Sequence, residues 1–264
     1  MSDKFEDYCF YLWTSKTPPI KYLTELLRDL LSEGNLKCTS EGLKLIAVDS
    51  SRVVLVHTKL NGERFEEYHC PEPIVLGLNM EDLFKIIKNM DNSDTLKLFV
   101  KNSNKNVLGI ETFCKEENTW DTTYLNLMDL PNNNIQIPNI TFDNVIVMPS
   151  NRFQRICRNI HNFSDKIEIE CVGSQLTFRG TNSNVKQQSR IKPTNNGLKF
   201  LQNDNPNDII QGIFELKHLV LFSKCSNLSG TIQIHIKNDY PLVLKCDVAS
   251  LGEIKLCLAP QAEE

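Results

Sequence analysis

One order of structural signals occurs twice in this chain. Leu78-Asn-Met-Glu-Asp-Leu-Phe-Lys-Ile-Ile-Lys88 leads into Asp94-Thr-Leu-Lys-Leu-Phe-Val-Lys-Asn102. Much later, Phe214-Glu-Leu-Lys-His-Leu-Val-Leu-Phe-Ser-Lys224 leads into Gly230-Thr-Ile-Gln-Ile-His-Ile-Lys-Asn238. Each copy reads as strand end, amphipathic helix, turn and strand. A repeat of that size predicts two similar domains, and 264 residues suffice to give each its own core. Between the copies, Asp129-Leu-Pro-Asn-Asn-Asn-Ile-Gln-Ile-Pro138 predicts an extended connector from its Pro and Asn content. The expected organisation is a first domain over residues 1–128, with 1–7 a polar extension, a connector over 129–140 and a second domain over 141–264.

Four segments carry the helical period. They are Ile20–Leu31 behind Pro18-Pro19, Met80–Met90 behind an Asn79 cap, Pro149–Ile160 and Glu215–Cys225. Most of the remainder reads as short strands. Leu43–Val48, Val53–Thr58, Thr95–Val100, Lys166–Cys171, Thr231–Ile236 and Leu242–Cys246 are rich in β-branched residues, and several alternate apolar with polar. Turn signals separate them. The predicted class is α+β, antiparallel sheets with few helices.

Composition narrows the function. Hydrophobic residues make up 41% and charged residues 23%, values of a folded soluble chain. No apolar run approaches a membrane span, and the charged start has no signal core, so a secreted or membrane-embedded protein is not expected. The nine cysteines are scattered without a C-x-x-C pair, which predicts reduced, buried thiols and no metal site. His57, His69, His161, His218 and His235 lack metal-ligand spacing, and there is no phosphate loop, G-x-S-x-G or H-E-x-x-H. No catalytic residue, metal or cofactor is expected.

Net charge is −4, from 29 basic and 33 acidic side chains, which argues against a nucleic-acid binder unless charge is segregated. It is. Opposite the apolar stripes lie Lys21 and Arg28, then Lys85 and Lys88, then Arg152, Arg155 and Arg158, then Lys217 and Lys224. Spacings of three or seven keep each set on one side of its helix. All four helices together would make a basic surface suited to phosphates.

Several segments resemble the sliding DNA clamps of eukaryotes and archaea, the proliferating cell nuclear antigen family. They are Val48-Asp-Ser-Ser-Arg-Val-Val-Leu-Val56, Leu78-Asn-Met80, Leu127-Met-Asp-Leu130, Met148-Pro-Ser150 with Phe153-Gln-Arg-Ile-Cys-Arg158, Tyr240-Pro-Leu-Val-Leu244 and Leu258-Ala-Pro260. They keep the family's order and spacing beyond about residue 8.

The resemblance implies two similar domains per chain, antiparallel sheets outside and helices lining the hole of a head-to-tail homotrimeric ring around duplex DNA, without sequence specificity. It implies a DNA polymerase, a clamp loader and other enzymes bearing a clamp-interacting peptide as partners. The implied location is the nucleus or a viral replication compartment. Its DNA-facing positions fall on Lys21, Arg28, Lys85, Lys88, Arg155, Arg158, Lys217 and Lys224, with Tyr22 at a position basic in familiar members. Its partner-peptide groove falls on Val48, Arg52, Val53, Leu55, Leu130, Ile135, Ile137, Pro138, Pro241, Ala259 and Pro260. Arg52 stands where histidine is common, and Gly173 where many eukaryotic members carry the ubiquitin-acceptor lysine. The subunit edges fall near Thr119–Leu125 and Asn184–Ile191. A subunit of a hetero-oligomeric checkpoint-type clamp and a non-ring polymerase processivity factor remain as alternatives.

Overall fold

The computed structural model describes residues 4–131, 135, 140–204 and 206–261. The chain divides into two compact units. The first comprises Met1–Ser50, His57–Ile135 and Val248–Glu253; the second comprises Ser51–Val56, Gln136–Asp247 and Ile254–Glu264.

In unit 1 the order is β1 (Tyr8–Thr14), α1 (Thr17–Leu30), β2 (Glu33–Thr39), β3 (Gly42–Val48), β4 (Val54–Asn61), β5 (Glu67–His69), β6 (Ile74–Asn79), α2 (Met80–Ile87), β7 (Thr95–Lys101), β8 (Asn104–Cys114) and β9 (Thr119–Asn126), β4 contributing residues to both units. Five strands run antiparallel in the order β5-β1-β7-β8-β9, while β2 pairs with β3 and β6. Alternation along β1, β7 and β8 buries Phe10, Leu12, Leu96, Leu98, Val100, Leu108 and Ile110. The helices add Leu23, Leu26, Leu27, Leu83 and Ile87 to the same core, and α1 packs on α2.

On the other face of the five-stranded sheet, register lines up Tyr11, Phe99, Gly109 and Tyr124. The polar extension is fastened here. Lys4 Nζ donates to Glu67 at 2.6 Å, the Phe5 ring stacks on His69 with centroids 4.8 Å apart, and Asn102 N donates to Asp7 O at 2.8 Å.

Unit 2 repeats the plan with β10 (Asn144–Pro149), α3 (Ser150–His161), β11 (Lys166–Val172), β12 (Gln175–Thr181), β13 (Lys186–Ile191), β14 (Lys199–Asn203), β15 (Ile209–Glu215), α4 (Leu216–Phe222), a 3-10 turn at Ser223–Asn227, β16 (Thr231–Ile236), β17 (Leu242–Val248) and β18 (Gly252–Leu258), β17 and β18 contributing residues to both units. One antiparallel sheet runs β13-β12-β11-β15, and another set runs β14-β10-β16-β17. Phe153, Ile160, Phe178, Phe214, Leu219 and Phe222 are fully buried, and α3 packs on α4 and the 3-10 turn. The predicted α+β class with antiparallel sheets and few helices is the observed one.

Helix limits differ from the sequence reading by more than one residue at three ends. α1 starts at Thr17, because Pro18 and Pro19 occupy first-turn positions whose N–H groups lack intrahelical partners anyway. α2 ends at Ile87, where Met90 N turns back to Ile87 O at 3.1 Å. α4 ends at Phe222, where the Ser223 hydroxyl donates to Val220 O at 2.7 Å and competes with the helical ladder. The Asn79 cap is present, its side-chain oxygen accepting from Asp82 N at 3.0 Å. Among the described residues no helix is long and apolar enough to cross a membrane.

Each unit ends one sheet on a long strand, β9 in unit 1 and β13 in unit 2. Asn182 N donates to Val185 O at 2.9 Å and so starts the β12–β13 ladder with a hydrogen-bonded pair. Antiparallel alternation then turns the backbone groups of Lys186, Gln188 and Arg190 away from β12. Leu127 N donates to Asn106 O at 2.9 Å, and the same counting turns Trp120, Thr122 and Tyr124 away from β8. Trp120 and Tyr124 are 59% and 61% exposed, unusual for large aromatics on a strand without a neighbour.

Candidate functional site

The helix cations of unit 1 are mostly engaged. Lys21 Nζ donates to Met90 O at 2.7 Å. Arg28 lies 4.2 Å over the Phe84 ring, with Nη2 2.7 Å from Asp29 Oδ1 and Nη1 4.0 Å from Glu81 Oε2. Lys85 Nζ sits 3.6 Å from both Glu81 and Asp82, one turn back on its own helix. Lys88, at the C-cap of α2, is exposed and has no ion pair among the described residues. Tyr22 is exposed at the surface of α1.

The helices of unit 2 carry a different balance. α3 has Arg152, Arg155 and Arg158 and no acidic residue. Arg155 and Arg158 are exposed, and neither makes an ion pair among the described residues. On α4, Lys217 Nζ lies 2.8 Å from Glu215 Oε1, and this ammonium, more than His218, holds the Glu215 carboxyl below its usual range. Lys224 falls on the 3-10 turn beyond α4 rather than on the helix expected through Cys225. Cations thus recur on all four helices, with Lys224 displaced to the turn beyond α4, and Lys21, Arg28, Lys85 and Lys217 are engaged by the groups named above.

The predicted groove residues fall in both units. In unit 1, Val48 ends β3 and is 38% exposed, and Leu130 and Ile135 are half-buried. The segment holding Leu130 is laid along β6: Met128 N donates to Gly77 O at 2.9 Å and Asn35 Nδ2 to Pro131 O at 3.1 Å. Gly77 is required there, because a Cβ at this position would stand 2.1 Å from Met128 O. In unit 2, Val53, Leu55, Pro241 and Ala259 are half-buried and Arg52 and Pro260 exposed. Ala259 N already donates to Val53 O at 3.1 Å, so hydrogen bonding to an incoming strand at this residue falls to its carbonyl. Ile137 and Pro138 lie outside the described residues.

Gly173, at the β11–β12 turn, has φ +58°, a left-handed conformation that disfavours a side chain such as lysine. Burial raises the thiol pKa of Cys9, Cys38, Cys70, Cys157 and Cys171, the last to about 12. Among the described residues no three His, Cys, Asp or Glu side chains group to hold a metal ion.

Comparison with known proteins agrees with this layout. The chain is 32% identical over 261 residues to the "Probable DNA polymerase sliding clamp 1" of Paramecium bursaria Chlorella virus 1, covering 97% of this chain and 98% of that protein. It is 31% identical over 222 residues to the "Probable DNA polymerase sliding clamp" of Acanthamoeba polyphaga mimivirus, covering 83% of this chain and 47% of that protein. Residues 15–134 match the model of the proliferating cell nuclear antigen N-terminal domain and residues 136–261 that of the C-terminal domain. With both domain models matched in order along a duplicated antiparallel fold, the chain belongs to the proliferating cell nuclear antigen family.

Proposed function

We propose that this chain is a DNA sliding clamp: three copies close head to tail around duplex DNA and tether a polymerase to its template. The observation that carries this reading is the pair of unlike sheet edges, β9 and β13, one in each unit. A heterologous ring needs two different surfaces on one chain, and strand pairing satisfies open backbone groups. The helix cations then meet phosphates without reading bases. Tethering raises the local concentration of an enzyme without chemistry by the clamp, so no catalytic group is assigned. Both relatives named above are called sliding clamps, which favours this reading over a checkpoint-type subunit or a non-ring factor. We place its work in a nucleus or a viral replication compartment, with a clamp loader opening the ring.

Partners are held through a peptide that docks on Val48, Val53, Leu55, Leu130, Ile135, Ile137, Pro241 and Pro260, beside Arg52, Pro138 and Ala259. Ile137→Ala should weaken a peptide carrying a glutamine and two aromatics by roughly 5–30-fold, leaving assembly intact. Calorimetry reads the first effect and sizing the second. Light scattering on the purified chain tests the ring, followed by retention on nicked circular DNA and release on linearisation. A monomer at all concentrations, or no retention in the presence of a loader, overturns the proposal.

A further inference from the structure

Arg152 belongs to the arginine row of α3, yet its place in the fold differs from that of Arg155 and Arg158. It stands in the first turn of the helix and is half-buried. A Cβ built on Gly197 would lie 4.0 Å from Arg152 Nη1, so the guanidinium rests beside the loop between β13 and β14. That loop is brought there by pairing: Lys199 of β14 opposes Val147 of β10, just before β10 turns into α3.

The loop and its two flanking strands are together cationic. From Asn182 to Asn203 the sequence carries Lys186, Arg190, Lys192 and Lys199 and no acidic residue, in a chain whose total charge is −4. Lys192 and Lys199 are exposed, and neither they nor Arg152 forms an ion pair among the described residues. Thr194, Asn195 and Lys199 share one surface hollow, which adds neutral polar groups beside the charges. The loop is closed by Thr194 N donating to Leu198 O at 3.2 Å and Gly197 N donating to Thr194 O at 3.2 Å.

We propose that Arg152, Lys192 and Lys199 extend the α3 row into an accessory phosphate track that holds duplex DNA beside the end of α3. This rests on the sliding-clamp reading and deepens it, by naming a second contact zone in unit 2 beyond the helix face. Arg152 on the acid-free helix α3, and Lys192 and Lys199 in the acid-free stretch that flanks the loop beside it, add positive charge next to the main arginine row. A duplex lying along Arg158 and Arg155 meets Arg152 and then the loop without a change of charge sign.

The test uses the full-length chain and a blunt duplex of arbitrary sequence, with binding followed by fluorescence anisotropy over a salt series. The logarithm of affinity against that of salt falls with a slope of about 0.9 per neutralised phosphate. The double variant Lys192→Ala/Lys199→Ala should lower that slope by roughly two, and Arg152→Ala by roughly one. Arg155→Ala serves as the helix control, and melting curves confirm that each variant folds. If Arg155→Ala lowers the slope while the loop double and Arg152→Ala leave it unchanged, the accessory track is refuted and the clamp reading survives. If wild type shows no salt-dependent DNA binding and is not retained on nicked circles by a loader, the clamp reading itself fails. If an acidic peptide binds wild type and loses affinity with the loop double, while the DNA slope does not move, the strip serves a protein partner and the proposal is overturned.

Discussion

The two units share an architecture and part company in charge. α1 sets Lys21 and Arg28 against Glu25 and Asp29, and α2 sets Lys85 against Glu81 and Asp82. α3 sets three arginines against nothing. Apolar positions at helical spacing were enough to give both units a packed helix pair, because burial depends on one face. Charge on the other face is not constrained by that packing, so it could diverge between the copies. A repeat of pattern is therefore not a repeat of electrostatics. The helices of unit 2 carry more unbalanced positive charge than those of unit 1.

The largest expected effect comes from the edges, the one property in which the units should be complementary. Gln188→Pro removes an N–H that points away from β12, and Thr122→Pro removes one that points away from β8. Each should shift the ring to monomer at low micromolar concentration, read by light scattering, with the fold retained. If either variant stays trimeric, that edge is not the subunit contact and the complementarity is broken.

Charge reversal comes next. Arg155→Glu should weaken low-salt DNA binding on the order of tenfold, since it removes an unopposed cation and adds an anion. Lys85→Glu should cost no more than about threefold, because Glu81 and Asp82 already offset that lysine. Equal losses would show that the exposed ion pairs of α2 do not mute its charge. The converse variant sharpens the point: Glu81→Gln, which removes one of the two carboxylates beside each of Arg28 and Lys85, should strengthen binding about twofold at low salt and have no effect at high salt. Anisotropy on the same duplex measures all three.

How far the sequence predicted this picture depends on the range of the interaction. Strands Thr231–Ile236 and Lys166–Val172 and helix Ser150–His161 were legible within a residue or so, since period and turns are local. The end of α4 was not, because Ser223 reads as an ordinary helix-surface residue until its hydroxyl is seen on Val220 O. The cation rows were legible as spacing. Their partners were legible only where they lie one turn away, as for Lys85. Nothing in the local sequence places the Phe84 ring under Arg28 or Met90 O against Lys21, which join α1 to α2 and its following turn. Arg152 was visible as a member of the row, but the loop beside it comes from the β10–β14 pairing, far along the chain.

The smallest expected effect concerns pH and again separates the units. His235, on β16 of unit 2, packs its ring edge-on to Phe142, with centroids 5.4 Å apart. Burial, and then the charges of Lys245 and Lys255, lower its pKa below the ordinary value of 6.5. The folded protein therefore binds a proton here less readily than the unfolded chain. The stability this provides is complete above pH 6.5 and is lost as pH falls through the lower folded value. Mild acidification should thus loosen β16 and its neighbours before the five-stranded sheet of unit 1. Amide hydrogen exchange at pH 7 and pH 5, corrected for intrinsic rates, reads the two units separately. Protection should fall in β16 and β17 and hold in β7 and β8. His235→Gln, which cannot titrate, should flatten the difference. If the variant keeps the full pH dependence, the acid sensitivity of unit 2 originates elsewhere, with the carboxylate of Glu215 the next group to test, since its lowered pKa gives the same sign at lower pH.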